Sequence, residues 1–136
     1  MKYKGFKIPT KLEAILEIGQ PIFLSLKADI DHWGEVLETE LGPFFEFPEE
    51  FDQNYSRLPI DFADNETGFE NGLETIDDFA MVIPFAMAGD GAPFCLDYRE
   101  KEMPPKVIWW EDIGWRLIAP TFEDFLQLFD LSNIKW

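Results

Sequence analysis

MVIPFAMAGDGAPFCLDYR, residues 81–99, decides the fold, because two strand-like runs flank a turn built on Gly89, Asp90 and Gly91. Asp and Gly are the residues that a tight hairpin turn favours where φ is positive. The alternative is a glycine-rich loop that holds a phosphate or a dinucleotide. That alternative lacks a third glycine at the fingerprint spacing, a Lys followed by Ser or Thr, and a helical pattern after the turn. The stretch therefore predicts a β-hairpin.

Downstream of the hairpin, two more short runs rich in β-branched and aromatic residues, KVIWW (106–110) and WRLIA (115–119), predict further strands of a meander. Trp109 and Trp110 must point to opposite faces of such a strand, which leaves the more exposed one as a candidate interface anchor. The chain then predicts a closing helix in PTFEDFLQLFDL, 120–131, with Thr121 as its N-cap opposite Asp124.

Upstream of the hairpin, capping signals and apolar spacing predict three helices and one strand. Thr10 and Glu13 have capping-box spacing in the first helix, Gly42 and Pro43 end the second, and Pro48 suits the first position of the third. The helices are PTKLEAILEIG (9–19), DIDHWGEVLETELGP (29–43) and FPEEFDQNY (47–55), and the strand is QPIFLSLKA (20–28). Residues 56–78 show no sustained period and predict a long surface loop. This order favours an α+β domain with a mostly antiparallel sheet over alternating βαβ units.

Composition and charge narrow the function classes. The 136 residues are 46% hydrophobic, which suits one domain spanning residues 1–136. No apolar run is long enough for a membrane span or a signal peptide, so we expect a cytoplasmic protein. The formal net charge is −16, and residues 28–98 contain 18 Asp and Glu against one base, Arg57. Such a surface repels nucleic acid and anionic lipid and attracts a basic partner, although acidity also serves solubility alone.

Catalytic and metal-binding patterns are sparse. The one histidine, His32, cannot supply both a base for a nucleophile and a histidine-rich metal site, and the one cysteine, Cys95, lies in a strand-like run as a structural thiol. A calcium loop starting at Asp64 would place its glycine and its closing acid at the wrong positions. Asp97 and Arg99 are expected to form an ion pair or to be solvated. We therefore expect no catalytic residue, no metal and no cofactor.

These elements together resemble the SUKH superfamily, which is named in part for yeast regulators of cell-wall glucan synthesis. The similar features are an Ile-Pro strand with its glycine turn, a V-x-x-W strand, and a last helix with a Phe-x-x-Phe-Leu face. They lie in VIPFAMAGDGAPFCLDYR, PPKVIWWED and IAPTFEDFLQLF. Upstream, ELGPFFEFPEEF is similar to a family helix and turn, with Phe47 where the family has Leu. The resemblance runs from Trp33 to Phe129, and residues 1–28 depart from it as an atypical N-terminal extension of the same domain.

The resemblance implies a SUKH-like α+β fold and, for bacterial members, a non-enzymatic immunity protein. Such a protein binds and neutralises a cognate toxin, often a nuclease, whose basic substrate-binding face suits an acidic partner. The expected partner is thus a basic toxin domain, and a monomer is favoured. Acids in and beside the 56–78 loop are the candidate partner-binding residues: Asp61, Asp64, Glu66, Glu70, Glu74, Asp77 and Asp78, with Asp90 and Asp97 at the edge of the meander.

Two other function classes compete with this reading. Some members of the superfamily are regulatory or scaffold modules of the cell-wall regulator type, with the same fold and no toxin. An enzyme is the third class, and it would use paired carboxylates such as Asp97 and Glu100.

Overall fold

A five-stranded antiparallel sheet forms the centre of the protein, with its strands in the order in which they occur along the chain. The computed structural model describes residues 1–18, 22–25, 41–62, 76, 78–88, 91–111, 114–132 and 134. The strands are β3 (Leu41–Phe44), β4 (Val82–Ala88), β5 (Pro93–Asp97), β6 (Lys106–Glu111) and β7 (Gly114–Ala119). Each strand pairs with the next, as expected of a meander built from hairpins.

Three helices and a small N-terminal hairpin complete the described part of the chain. The hairpin pairs β1 (Lys2–Tyr3) with β2 (Phe6–Lys7). The helices are α1 (Thr10–Leu16), α2 (Glu49–Asp61) and α3 (Phe122–Leu126). No described helix has the length and apolar character that crossing a membrane requires. The α+β class with a mostly antiparallel sheet is confirmed.

Two apolar clusters cover the two faces of the sheet. The larger one packs α1, α3 and the first half of α2 against Phe85 and Phe94, and Phe125 of α3 contacts both of these rings. The smaller one packs the second half of α2 on the opposite face, and its members are Leu58, Ile76, Phe79, Val82, Cys95, Ile108 and Trp115. Because α2 contributes Phe51 to the first cluster and Leu58 to the second, it fixes the position of both.

The hairpin predicted from residues 81–99 is confirmed. β4 and β5 pair antiparallel, and Ala88 donates its N–H to the Ala92 carbonyl at 2.9 Å. Gly91 has a φ of +88°, the left-handed conformation for which a turn selects glycine. Gly89 and Asp90 lie outside the described residues. The strands predicted around residues 106–110 and 115–119 are also confirmed.

The predicted helix over residues 29–43 is wrong at its C-terminal end. Leu41 begins β3 and exchanges backbone hydrogen bonds with Leu24 at 2.8 and 2.9 Å, so Gly42 and Pro43 lie inside a strand rather than at a helix end. Residues 29–40 lie outside the described residues. Of the strand predicted over residues 20–28, the described segment 22–25 forms one β-bridge, between Leu24 and Leu41.

The predicted surface loop over residues 56–78 is wrong at its start. The helix predicted to end near Tyr55 continues to Asp61, and it contains Pro59. Proline normally disfavours a helix interior because it lacks an N–H and clashes with the preceding turn. Here Leu58 is fully buried in the second cluster, and this burial favours the helical path. Residues 63–75 and 77 lie outside the described residues.

One of the two predicted caps is confirmed. The Thr121 side chain accepts a hydrogen bond from the Asp124 N–H at 3.1 Å, whereas Thr10 makes no capping bond because α1 begins after Pro9. We therefore expect Thr121→Ala to lower the free energy of unfolding by about 1 kcal/mol. The matched change Thr10→Ala should stay within about 0.5 kcal/mol of the wild type. Urea denaturation measures both, and equal losses would contradict the assigned caps.

Candidate protein-binding surface

A shallow depression of about 370 Å³ lies where the C-terminal end of α2 meets the β4–β5 hairpin. Three elements form it, because the turn after β4 and the last residues of β6 reach the same end of the sheet as α2. The lining residues are Arg57, Asp61, Phe62, Met87, Gly91, Ala92 and Trp110. Together with Ile60 we call them the α2–hairpin surface.

Trp110 is the partly exposed member of the tryptophan pair, and Trp109 is the core member. Trp109 is only 5% exposed and stacks on Phe94 with ring centroids 5.5 Å apart. Trp110 points to the other face of the sheet, where its ring contacts Phe62 at 5.3 Å and Trp115 at 5.6 Å. The prediction that the two rings face opposite sides is confirmed, and the candidate anchor is Trp110.

Arg57 and Asp61 supply the charges of this depression, and the exposed Ile60 lies beside them in the sequence of α2. Arg57 Nε donates to the Asp61 carboxylate at 3.0 Å in an i, i+4 pair on the surface of α2. Such exposed pairs contribute little to stability, so Asp61 can exchange this partner at small cost. Ile60, between them in sequence, is 79% exposed. An apolar contact with a charged rim is typical of a protein interface.

Acidic side chains dominate the rest of α2. Glu49, Glu50 and Asp52 occupy its first turn, and they suit the positive end of the helix dipole. The Asp52 carboxylate also accepts a hydrogen bond from the Tyr3 hydroxyl, which ties the N-terminal hairpin to α2. Burial, followed by this hydrogen bond, raises the pKa of Tyr3. The Tyr3 hydroxyl therefore stays protonated and remains a donor to Asp52.

Asp61 and Asp78 are both exposed, and they bond to different parts of the chain. Asp78 accepts a hydrogen bond from the Ala80 N–H at 2.9 Å, and the Ala80 carbonyl accepts one from the Tyr55 hydroxyl at 3.2 Å. Tyr55 precedes Asp61 by six positions, about 9 Å along a helix axis. Asp78 is thus connected to α2 through Ala80 and Tyr55, whereas Asp61 lies at the end of the helix. The other candidate acids, Asp64, Glu66, Glu70, Glu74, Asp77 and Asp90, lie outside the described residues.

Asp97 differs from the other described candidates because it is only 9% exposed. Arg99 donates to both of its carboxylate oxygens at 2.9 Å, and the Arg99 backbone N–H adds a third bond at 3.0 Å. The predicted ion pair is confirmed. The same hydrogen bonding raises the pKa of Arg99. This geometry gives Asp97 an internal role at the end of β5, where it orders the chain that follows.

The side chains that could have served as catalytic groups are either bonded to other residues of the protein or buried. Asp97 is held by Arg99, and Glu100 accepts a hydrogen bond from Lys106 Nζ at 2.5 Å. Cys95 is fully buried, and burial raises the pKa of its thiol, which disfavours the nucleophilic thiolate. Within the described segments, no group of three or more His, Cys, Asp or Glu side chains is arranged to hold a metal ion.

Sequence reasoning missed part of this surface because it ended α2 too early. Arg57, Ile60 and Asp61 were predicted to lie in a loop, where the spacing of Arg57 and Asp61 has no meaning. On a helix that same i, i+4 spacing is the signature of a surface ion pair. The contact between Phe62 and Trp110 joins residues far apart in sequence, and no local pattern reveals it.

Comparison with known families agrees with this architecture. A family model described as the SMI1 / KNR4 family (SUKH-1) matches residues 2–128. The match confirms the resemblance found between Trp33 and Phe129 and extends it toward the N-terminus. No curated protein and no solved structure gave a match.

Proposed function

Because this chain belongs to the SMI1 / KNR4 family (SUKH-1), we propose that it is an immunity protein that neutralises a cognate toxin. It binds a basic toxin domain, a nuclease, through the acidic surface that begins on α2. The role needs no catalytic residue, metal or cofactor. It acts in the cytoplasm as a monomer, where an incoming nuclease would reach its substrate.

The observation that carries the proposal is the acidic solvent side of α2. Its exposed acids include Glu49, Asp52 and Asp61, and its single base, Arg57, is already paired. The acidic sequence continues from Asp61 to Asp78 without a base. A nuclease must present a positive face to its substrate, and complementary charge accelerates association with such a face. A bound acidic domain then blocks access of nucleic acid.

Trp110 and Ile60 supply the apolar part of the interface. Affinity in protein complexes depends on a few anchors near the centre, and tryptophan is among the commonest of them. Acidic side chains around these anchors orient the encounter and reject partners of like charge. This division of roles supports the α2–hairpin surface, with the neighbouring acids, as the binding region.

Neutralising three acids of the binding region is expected to slow toxin binding without unfolding the domain. The variant combines Asp61→Asn, Glu66→Gln and Glu70→Gln. We expect its association rate with the cognate basic toxin domain, sought first in the neighbouring genes, to fall about tenfold at low salt, with a weaker dependence on ionic strength. Surface plasmon resonance across a salt series measures both, and circular dichroism checks the fold.

A control with the same change in net charge separates local from global effects. Glu17→Gln, Glu102→Gln and Glu123→Gln replace three exposed acids elsewhere on the molecule. Their combined effect on the association rate should be less than about twofold at physiological salt, where distant charges are screened. Equal slowing by both variants would remove the binding region from the interface. If the product of the neighbouring gene does not bind the unmodified protein, the proposal that this product is the toxin partner is rejected.

A regulatory or scaffold module is the second candidate, and the uneven charge of the surface favours it. Residues 1–11 contain four lysines and no acid, in contrast to α2. Two surfaces of opposite charge suit a module that holds two partners together. Affinity capture followed by mass spectrometry distinguishes the candidates, because a scaffold should recover a host cell-wall or signalling protein in place of a secreted toxin.

A further inference from the structure

A second groove, of about 570 Å³, lies at the opposite end of β5 from the α2–hairpin surface. One wall comes from β2 and the residues that lead into α1, and the other comes from the β5–β6 connection. The lining mixes apolar and polar groups, and its apolar side chains include Phe6, Pro9, Met103, Pro104 and Pro105. Its volume lies within the range of sites that accept small ligands or a few residues of a peptide.

Hydrogen bonds and ring stacking hold the floor of this groove in place. Phe6 stacks on Tyr98 with centroids 4.7 Å apart, and the Tyr98 hydroxyl donates to the Lys7 carbonyl at 2.6 Å. Burial raises the pKa of Tyr98, so this donor stays protonated. The contact joins the end of β5 to β2 across 91 positions of sequence. A site whose floor is fixed before binding loses less entropy when a partner arrives.

The wall formed by the β5–β6 connection is also tied down. Its first residues are held by the Arg99–Asp97 pair, and its last by the Lys106–Glu100 pair. The Met103 N–H donates to the Glu100 carbonyl at 3.1 Å, which turns the chain at the groove. Met103 is nevertheless 58% exposed. A fixed backbone therefore presents an exposed, adaptable apolar side chain to the groove.

The rim of the groove is positive on a protein of strongly negative net charge. Lys7 and Lys101 are lining residues, and Glu123 is the acid that faces them. At physiological salt, charges farther away than about 8 Å are largely screened. A short anionic group seated in the groove therefore experiences Lys7 and Lys101 more strongly than charges that lie farther away.

We propose that this groove binds an acidic peptide segment of a partner protein, seating one aromatic or aliphatic side chain between Met103 and Phe6. Carboxylates of the segment lie against Lys7 and Lys101. Apolar walls with positive charge at the rim match a segment in which an apolar residue is flanked by acids. Aromatic rings are typical linings of grooves that bind extended peptides. The site is separate from the proposed toxin-binding surface.

A membrane or a nucleic acid fits this geometry less well. A bilayer contacts a convex or flat apolar surface, whereas the apolar side chains here line a concavity. A nucleic acid extends beyond the groove and meets the acids of the rest of the molecule, which repel it. A short acidic peptide avoids both difficulties.

The test uses the full chain and a fluorescein-labelled peptide with a central Phe flanked on each side by a pair of Asp residues. Two matched probes replace the Phe with Ser or each Asp with Lys. Anisotropy titration at low salt should show saturable binding of the first probe. The Ser probe should bind about fivefold more weakly, as expected from losing partial burial of one apolar side chain. The Lys probe should not bind.

Matched variants locate the binding. Lys7→Gln with Lys101→Gln should weaken the first probe about five- to tenfold, because two exposed charge contacts are lost. Met103→Ser should weaken it about fivefold. The controls are Lys2→Gln, which changes the lysine opposite Lys7 in the N-terminal hairpin but outside the groove lining, and Ile60→Ser, which changes an exposed aliphatic residue on α2. Each control should change the affinity by less than about twofold.

Three results would overturn the proposal. Equal weakening by Lys2→Gln and Lys101→Gln singly would assign binding to the general positive field rather than to the groove. Equal binding of the Phe and Ser probes would remove the apolar pocket from recognition. Binding to phosphatidylserine vesicles or to single-stranded DNA, without binding to the peptide, would assign the groove to another class of partner. None of these measurements involves the toxin, so the proposed immunity function is tested independently.

Discussion

Trp115→Ala is expected to lower the free energy of unfolding by about 3–5 kcal/mol, among the largest losses for a single change in this protein. Trp115 is fully buried, and its ring contacts Phe62, Phe79 and Trp110. Its indole N–H donates to the Phe62 carbonyl at 3.2 Å, just beyond the end of α2. Alanine would leave a large cavity in the smaller cluster and an unpaired carbonyl near the α2–hairpin surface.

Urea denaturation followed by circular dichroism measures this loss, and the neighbouring tryptophan is the control. Trp110 is half-buried and its indole lies closer to solvent, so Trp110→Ala should cost about 1–2 kcal/mol. Trp110→Ala should instead reduce binding to the basic toxin domain. Similar losses of stability for the two variants would show that the second cluster extends over Trp110 and would reject its role as an anchor.

Gly42→Ala is the second change expected to have a large effect. Gly42 has a φ of +141°, a backbone conformation that side chains with a Cβ rarely adopt. A Cβ there would lie 2.9 Å from the Ile22 carbonyl oxygen and 2.8 Å from Phe23 Cδ1. Phe23 can rotate, but the carbonyl belongs to backbone that pairs with β3. We expect a loss of about 2–5 kcal/mol from backbone strain and overpacking together.

Gly91→Ala separates the two causes of that loss. Gly91 also has a positive φ, +88°, but a Cβ there would meet no atom within 4 Å. Only the strain remains, so this variant should lose about 1–2 kcal/mol. Thermal and urea unfolding of both variants give the comparison. If Gly91→Ala is as damaging as Gly42→Ala, the close approach of residues 22–23 to β3 is not what constrains Gly42.

The C-terminal half of the fold could be predicted because its signals are local. In β4 to β7 the apolar period, the glycine turn and the strand lengths agree with one another, and each strand pairs with its neighbour in sequence. Thr121 likewise needs only the three residues that follow it to make its cap. Where neighbouring residues determine the structure, sequence pattern is sufficient.

The errors lie where distant contacts decide the structure. Leu41, Gly42 and Pro43 resemble the end of a helix, yet pairing with Leu24 and with β4 places them in a strand. Pro59 resembles a helix stop, yet burial of Leu58 against the sheet keeps it within α2. In both cases, contacts with residues distant in sequence outweigh the local helix or strand propensity. A single sequence does not reveal such contacts.

The candidate surface could be predicted only in part for the same reason. The charge imbalance and the exposed tryptophan were visible in sequence, since composition and strand alternation are enough to find them. The depression between Asp61, Gly91 and Trp110 depends on how α2 crosses the sheet. Asp97 has the negative charge expected of a partner-binding residue, but it is buried and paired with Arg99. Both properties follow from the position of β5 within the sheet, which the sequence alone does not give.

The meander order of the sheet has a consequence for how this protein can change through evolution. The β4–β5 and β6–β7 connections join strand ends that lie near the end of α2, where Gly91 and Trp110 line the depression and Trp115 contacts Phe62. Substitutions in these connections leave the strand register and the two apolar clusters intact, since connecting segments tolerate variation that packed elements do not. The sequence at this end is therefore free to vary among related proteins while the scaffold stays the same.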